Sequence, residues 1–544
     1  MAQAPSWQWV RTSGGNGREH SNDITSDVYG NVYVTGGYSS PAISFDTILL
    51  INPSNPYFKD IFIVKYDPNG NVLWAKSEGG YNTDEGLGIA LDPAGDIFIT
   101  GTFDGFVSFD GDTVFNNGIN YKDIFIVKHN ASGNVLWAKS AGSTGNDFSN
   151  DIAVDASGNS YLTGSFGNPS IDFNGTIFTN GTGRDVFVTK YDPLGNVIWA
   201  RRTLGNGNDE SKQIGIGENN NIYISGNFMS PQIDFGGIIL NNSDPSGLTS
   251  DSFIAKYDSS GTLIWAHSFG GLLGDGCEYI YVDTNGVSFI TGYFSSPTIN
   301  LGGITLTNSN AAGGTNNIFV AKLDSSGNSF WAKSATGNNG DVGIGLDVDL
   351  NGNSYVTGYF NSDTISFGSI DLLQTGLGSS SEDMFVVKYN SAGQELWALS
   401  VGGTTDRERG SGIIVDQSSN CYVTGYFESN PLFFGAIPVV NYNNEDFFLA
   451  KLDSTIINGI NENSILGGAM FPNPVNNILK MDFGFVYHRI VFTFSDIAGK
   501  IIFTRQYSER QRVDVDLSNF PNGIYLVNLQ TEKHSLTKKI IISR

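Results

Sequence analysis

Apolar positions along this chain come in short bursts, not at helical spacing. In the second copy of a recurring unit, Gly88-Ile89-Ala90-Leu91-Asp92 is a run of small and apolar residues. The turn Asp92-Pro93-Ala94-Gly95 leads to Asp96-Ile97-Phe98-Ile99-Thr100-Gly101. After a longer segment comes Asp123-Ile124-Phe125-Ile126-Val127-Lys128, and Asn130-Ala131-Ser132-Gly133 then delivers Asn134-Val135-Leu136-Trp137-Ala138-Lys139. β-Branched and aromatic residues dominate these runs, and Asp/Asn-x-x-Gly supplies the positive φ of a tight bend, which predicts four strands per unit. The runs are apolar on both faces, so both faces must be covered. Sheets stacked on sheets do that.

The unit recurs with little drift. Trp9, Trp74, Trp137, Trp199, Trp265, Trp331 and Trp397 are 65, 63, 62, 66, 66 and 66 residues apart. Nine residues before each Trp from the second onward stands a lysine, Lys65, Lys128, Lys190, Lys256, Lys322 and Lys388, and a seventh, Lys451, has no Trp after it. The chain therefore begins and ends inside a unit. Gly412–Asp416, Asn420–Phe427 and Asp446–Asp453 give the last unit three strands, and Trp7–Thr12 supplies the fourth. Four strands, seven units and no helical periodicity predict an all-β fold, a seven-bladed β-propeller over residues 1–453 whose last blade is closed three-plus-one by the N-terminal strand. Such pairing hides two sheet edges.

The pattern changes after Asp453. Residues 454–468 read as a linker rich in Asn, Ser and Gly. Residues 469–544 carry short runs such as Ile501–Thr504 and Tyr525–Leu529 between turn residues, which predicts a small immunoglobulin-like β-sandwich. Charge breaks at the same place. Residues 464–544 hold ten Lys/Arg against six Asp/Glu, a net of +4, whereas residues 1–463 hold 20 against 48, a net of −28. So acidic a body repels phosphate backbones and anionic lipid, which argues against nucleic acid and membrane surfaces as partners. No apolar run approaches a membrane-spanning length. Met1-Ala2-Gln3-Ala4-Pro5 contains no hydrophobic stretch, so a signal peptide is expected to be absent from this chain, as in a processed form. Cys277 and Cys421 lie in different units, and a disulfide between them is not expected.

Two segments resemble known families. Asp60–Asp67, Gly70–Lys76 and Asp92–Gly101 resemble the bacterial β-propeller repeat named SBBP, a likeness that covers about residues 6–453. It implies an extracytoplasmic bacterial protein and no particular activity. The opening Phe471-Pro472-Asn473-Pro474, the turn Asp496-Ile497-Ala498-Gly499-Lys500, the run Asp516-Leu517-Ser518 to Gly523-Ile524-Tyr525 and the basic tail Lys538-Lys539 are similar to the type A C-terminal sorting domain of the type IX secretion system of Bacteroidota. That resemblance implies passage through the outer membrane, the secretion machinery as a partner, and a secreted or cell-surface location. The alternative is an immunoglobulin-like module that binds something else.

Candidate sites follow from the connectivity. The two Asp-x-x-Gly turns of each unit share one face and are too tight to do much. The opposite face carries the long connection between strands two and three, with its own small motif (Ile43-Ser44-Phe45, Val107-Ser108-Phe109, Ile171-Asp172-Phe173 and counterparts), which predicts an extra hairpin per blade. Function sits on elaborated loops, so this face is the one to search. Seventeen residues before the glycine of each Thr/Ser-Gly stands a carboxylate: Glu19, Asp84, Asp147, Asp209, Asp275, Asp341 and Glu408. At the start of each innermost strand they would ring the mouth of the central channel, where converging carboxylates could take Ca²⁺ or a similar hard cation. The competing reading is a repeated acceptor for backbone N–H groups; sevenfold repetition favours it, because a binding site breaks symmetry. The repeated Lys and Trp read as framework, the lysine stem lying along apolar surface and the indole packing between blades.

Catalytic signatures are absent from the sequence. The five histidines, at positions 20, 129, 267, 488 and 534, share no metal-ligand spacing, and no nucleophile elbow or phosphate loop is present. The sequence thus predicts a non-enzymatic, exported binding or scaffold protein that engages a glycan or surface protein and needs no cofactor. A polysaccharide-degrading glycosidase or lyase on the same scaffold, and a Ca²⁺-stabilised surface protein, are the alternatives.

Overall fold

The computed structural model describes residues 4–544 apart from 54–56, 119–120, 168, 309, 311–313, 377–380, 404–405, 454–468, 472–474, 476, 488, 497–499, 509, 531–534 and 544. The expected linker, 454–468, lies outside the described residues. The chain divides into two compact units, residues 3–455 and 456–544.

The first unit contains seven four-stranded antiparallel sheets. Blade 1 is built from Glu19–Ser26, Val32–Tyr38, Asp60–Tyr66 and Val72–Glu78 in that order. Blades 2 to 6 repeat it over residues 85–141, 147–202, 209–269, 275–335 and 341–401. Blade 7 joins Glu408–Val415, Cys421–Phe427 and Asp446–Leu452 to the N-terminal strand Trp7–Ser13, with Trp9 opposite Lys451. Blade 7 also meets blade 1 through side chains: Ser21 Oγ donates to the Gly425 carbonyl at 3.2 Å and accepts from Thr424 Oγ1 at 2.8 Å. The circle is shut.

Each innermost strand carries a bulge at the same point, for example between Ser21 and Asp23, Ser149 and Asp151, and Gly410 and Gly412. The bulge turns one residue out of the ladder and steepens the twist where seven strands converge. It also explains the Thr/Ser-Gly motif. A Cβ on Gly36 would collide with the His20 carbonyl that the bulge pushes forward, and Gly425 faces the Arg409 carbonyl in the same way. The threonine beside it, Thr35 or Thr424, donates to the third strand at Phe62 or Phe448.

The lysine and tryptophan series lie side by side across the sheet. Tyr33 pairs with Lys65 and Lys65 with Trp74, and the Lys65 ammonium stands 4.7 Å from the centre of the Tyr33 ring. The other six lysines repeat this over Phe98, Tyr161, Tyr223, Phe289, Tyr355 and Tyr422 at 4.5–5.1 Å. An ammonium over a ring face gains quadrupole attraction while its stem covers apolar surface, so the lysine can sit in the blade interior. The indole instead latches the next blade: Trp137, Trp199, Trp265 and Trp331 donate through Nε1 to the carbonyls of Pro193, Ser259, Ser325 and Ser391 at 3.1–3.2 Å. Every blade also carries a two-stranded hairpin between its second and third strands, from Ala42–Phe45 with Ile48–Ile51 to Leu432–Phe434 with Ile437–Val439.

The second unit has two antiparallel sheets. One joins Ala469–Phe471, Ile478–Tyr487 and Arg510–Asp516. The other runs Ile501–Tyr507, Ile490–Asp496, Gly523–Gln530 and Ser535–Ile542. Alternate residues of both, Leu479 and Met481, Val513 and Val515, Phe492 and Phe494, Val527 and Leu529, share one buried core. Period-two burial on two facing sheets makes a sandwich.

Candidate functional site

The seven carboxylates predicted to ring the channel mouth do not face it. Glu19, Asp84, Asp147, Asp209, Asp275, Asp341 and Glu408 are all buried, and each serves its own blade as a backbone acceptor. Asp275 accepts from the N–H groups of Gly271, Ser295 and Ser296 and from Ser296 Oγ. Glu19 accepts from Gly15 and Ser40, Asp84 from Gly80 and Asp104, and Glu408 from Gly403 and Ser429. A turn that enters the innermost strand leaves N–H groups no ladder can take, and a carboxylate satisfies several at once. Among the described residues no group of three or more His, Cys, Asp or Glu side chains stands where it could hold a metal ion.

A second buried acid series, unmarked by the sequence reading, starts the third strands: Asp60, Asp123, Asp185, Asp251, Asp383 and Asp446, with Asn317 in blade 5. Each lies near the strand-one carboxylate of the next blade, as Asp446 does to Glu19 and Asp123 to Asp147. Burial first, and the neighbouring carboxylate after it, push Glu19 up to about 7 and Asp147 to about 8. Glycines fit against these aspartates: a Cβ on Gly14, Gly142 or Gly402 would collide with the carboxylate of Asp446, Asp123 or Asp383. The signal was present as the Asp that opens Asp-Ile-Phe-Ile-Val-Lys, but only the fold shows that it meets the next blade.

Other carboxylates reach across the innermost strands. Asp23 accepts from Ile89 N at 2.8 Å, Asp151 from Ile214 N at 2.9 Å and Asp347 from Val415 N at 2.6 Å, each on the following blade. An innermost strand is a sheet edge, and these aspartates cap its orphan donors. Burial raises all three, Asp347 to about 7, and Tyr279 feels all three charges.

The loop-face ends of the two inner strands carry a different set, which breaks the sevenfold pattern. Where blades 1 to 4 place Gly37, Thr102, Ser165 and Asn227, blades 5 to 7 place Tyr293, Tyr359 and Tyr426. The Arg409 guanidinium lies 4.0 Å from the centre of the Tyr359 ring and pairs with Glu382, with Nη2 at 2.7 Å from Oε1. The His20 ring stacks on Tyr426 at 4.5 Å, and its Nε2 is 2.5 Å from Glu445. Arg407 reaches Glu428 at 2.5 Å and Glu445 at 3.1 Å, and Arg18 stands 3.4 Å from Glu445. On the other side Glu85 lies between Lys59 at 2.7 Å and Lys122 at 3.6 Å, and Lys212 is 3.2 Å from Glu210. Burial opposes ionisation of Glu445, but His20, Arg18 and Arg407 outweigh it and hold the carboxyl well below its usual range. In a body of net charge −28, seven of the 20 basic residues (Arg18, Lys59, Lys122, Arg184, Lys212, Arg407 and Arg409) gather here. Facing them are the glutamates at 85, 210, 278, 382, 428 and 445, so cations and carboxylates are interleaved there. Sequence reading missed it because it sought what repeats; these residues are departures from the repeat.

In the second unit, Tyr525 stacks on Phe494 at 4.9 Å and donates to the Pro521 carbonyl, and Asp496 accepts from Lys500 N across its turn. Gly523 opens its strand, and Lys538 and Lys539 pair with Val527 and Leu526 in the last one. Pro472, Asn473, Pro474 and Gly499 lie outside the described residues. Residues 469–543 match the family described as the secretion system C-terminal sorting domain. This module is a sorting domain. Residues 136–165 match the β-propeller repeat family SBBP. The sorting domain marks the protein for the type IX secretion machinery, and with it for the cell surface or the medium. No helix among the described residues is long and apolar enough to cross a membrane. Among curated relatives, an uncharacterized WD repeat-containing protein of Acanthamoeba polyphaga mimivirus is 25% identical over 81% of this chain and 38% of its own length. The regulatory protein FlaEY of Caulobacter vibrioides is 24% identical over 47% of this chain and 28% of its own. The chain thus spans well under half the length of these relatives. Solved structures similar to it include Sqt1 from Chaetomium thermophilum (TM-score 0.34, 9% identity, 78% of this chain and 97% of that one). An apocarotenoid oxygenase mutant from Synechocystis is another (TM-score 0.32, 8% identity, 83% and 95%).

Proposed function

We propose that this exported propeller is a binding protein, not an enzyme, and that it engages an uncharged glycan at the cell exterior through the loop-face mouth. One observation carries the reading: Tyr293, Tyr359 and Tyr426 replace smaller residues on three consecutive blades, among interleaved ion pairs in an acidic body. Aromatic faces take the apolar faces of sugar rings, and a dense set of ion-paired donors and acceptors takes hydroxyl groups. Glu85, Glu210, Glu382, Glu428 and Glu445 are each committed to a cation. Glycoside hydrolysis calls for one carboxyl held protonated beside a second that is ionised, and committed glutamates suit binding better.

A glycan array probed with the full chain tests this. Binding of a neutral glycan that falls at least tenfold in Tyr359→Ala and Arg409→Ala supports it. Binding that is absent, or that persists unchanged in both variants, overturns it.

A further inference from the structure

Among the described residues, the junction between blades 1 and 2 lacks the turn-face bonds that join blades 2 to 6 in succession and blade 7 to blade 1. Blades 2 to 5 each donate an indole N–H to the outer turn of the next blade. At the junction of blades 7 and 1, Lys451 takes that role and donates to the Pro68 carbonyl at 3.0 Å. Among the described residues, Trp74 Nε1 in blade 1, like Trp9 Nε1 in blade 7, is buried without a hydrogen-bond partner. Lys65 Nζ stands 3.8 Å from Asp27 and over the Tyr33 ring. Lys76 turns away to Asp110 on the neighbouring hairpin, whereas Arg11 and Arg201, at its position in blades 7 and 3, bond the next outer turn at the Gly70 and Gly261 carbonyls. Blades 1 and 2 are joined in the interior, where the buried Glu78 carboxylate stands 2.7 Å from His129 Nε2, but among the described residues no side chain of blade 1 hydrogen-bonds the turn Asn130-Ala131-Ser132-Gly133 itself.

A cavity of about 580 Å³ opens at this place, between Ala131 and the channel side of blades 1 to 3. Its walls are largely apolar, with Val28, Leu91, Pro93, Ala94, Val154 and Ala156 among them. Val28 and Tyr29 project from the inner turn at 68% and 80% exposure. The turn itself needs neither. Asp27 accepts from the N–H groups of Tyr29 and Asn31, so the two middle positions are free to vary. Blades 4 and 5 fill them with Glu218-Asn219 and Thr284-Asn285. The cavity lies among turns that the sequence reading set aside as too tight to do much.

We propose that this cavity is a second binding site, distinct from the loop-face mouth, for a small uncharged molecule with an apolar body and an acceptor oxygen such as a ketone or ether. The volume falls in the range of small-molecule pockets, roughly 300–1,000 Å³. The apolar walls receive the body, and the Lys65 ammonium donates to the oxygen. Asp27, Asp92 and Asp155 border the same space, so an anion meets repulsion. Each of the three is occupied by donors of its own turn, at Asn31, Asp96 and Asn159, so a cation finds little free acceptor capacity.

Fluorine NMR of the full chain with 4-fluoroacetophenone tests the site, with 4-fluorotoluene and 4-fluorobenzoate alongside. The ketone is expected to bind saturably, the toluene at least about fivefold more weakly and the benzoate not at all. Ala94→Trp, an exposed change that fills the cavity, is expected to abolish ketone binding, and Lys65→Met to weaken it at least about fivefold. No ketone binding, equal binding of the toluene or benzoate, or ketone binding that survives Ala94→Trp overturns the proposal. So does a neutral trisaccharide that binds the wild-type chain and is lost in Ala94→Trp, since the cavity is then a saccharide site. Tyr359→Ala reports only on the mouth, so the two sites fail or stand separately.

Discussion

Trp9 stands opposite Lys451 across a ladder that joins the two ends of the propeller, although 442 residues separate them. Lys451 lies at the same time over Tyr422, 5.1 Å from its centre, and Tyr422 packs against Trp9 at 5.9 Å. The N-terminal strand thus completes in blade 7 the aromatic–Lys–Trp row that every other blade builds from contiguous chain.

Removing residues 1–13 would strip this strand and bare the edge of Asp446–Leu452, whose residues 447–452 pair with it. An unpaired edge lowers stability and templates association. The shortened chain is expected to melt earlier and to self-associate in light scattering coupled to size exclusion. A monomer with unchanged melting would show that closure contributes nothing.

Stability should fall as pH rises from about 5 to about 8. Burial raises Glu19, Asp341 and Glu408 to about 7 and Asp123 and Asp446 to about 6, so these groups hold more protons folded than unfolded at neutral pH. A carboxyl of raised pKa contributes stability that is complete below its unfolded value of ~4 and lost as pH climbs through its folded value. Calorimetry across that window checks the sign, and a melting point that rises with pH would contradict it. Asp446→Asn, which copies what blade 5 already carries at Asn317, is expected to flatten the slope.

Chelator should leave the melting point unchanged. The seven strand-one carboxylates are saturated by N–H and hydroxyl donors, not arranged around a shared ion. A clear drop of the midpoint in EDTA, restored by Ca²⁺, would show a site this geometry does not contain.

Lys388→Met should destabilise the propeller by about 2–4 kcal/mol, the scale for breaking a buried pair together with a cation–ring contact. Lys388 stands 3.4 Å from Asp349 and 4.5 Å from the centre of the Tyr355 ring, almost wholly buried. Urea titration of the variant measures the loss. A midpoint equal to wild type would make the lysine dispensable.

Much of this architecture was legible from residue order. The Thr-Gly pairs, the Asp-x-x-Gly turns, the Trp and Lys series and the small motif at Ile43-Ser44-Phe45 mark strands, bends and hairpins, because local backbone geometry selects those residues wherever it recurs. The sorting module was equally open to reading, its motifs standing in order at Asp496, Gly523 and Tyr525. The candidate site was not. Regular spacing singled out Glu19 and its six counterparts, and of its two readings the fold shows the backbone acceptor that sevenfold repetition favoured, not a cation site.

By itself the sequence determined what each blade repeats: strand lengths, turn chemistry, the split final unit, the change of domain near residue 453 and the export signal. These depend on contacts within one unit or on motifs a few residues long. Tertiary structure alone decided which side chains from different blades meet, namely Arg409 over Tyr359, His20 on Tyr426, Asp446 beside Glu19, and the missing latch at Trp74. Those meetings depend on how one blade is rotated and set against the next, a geometry that no spacing within a single unit encodes.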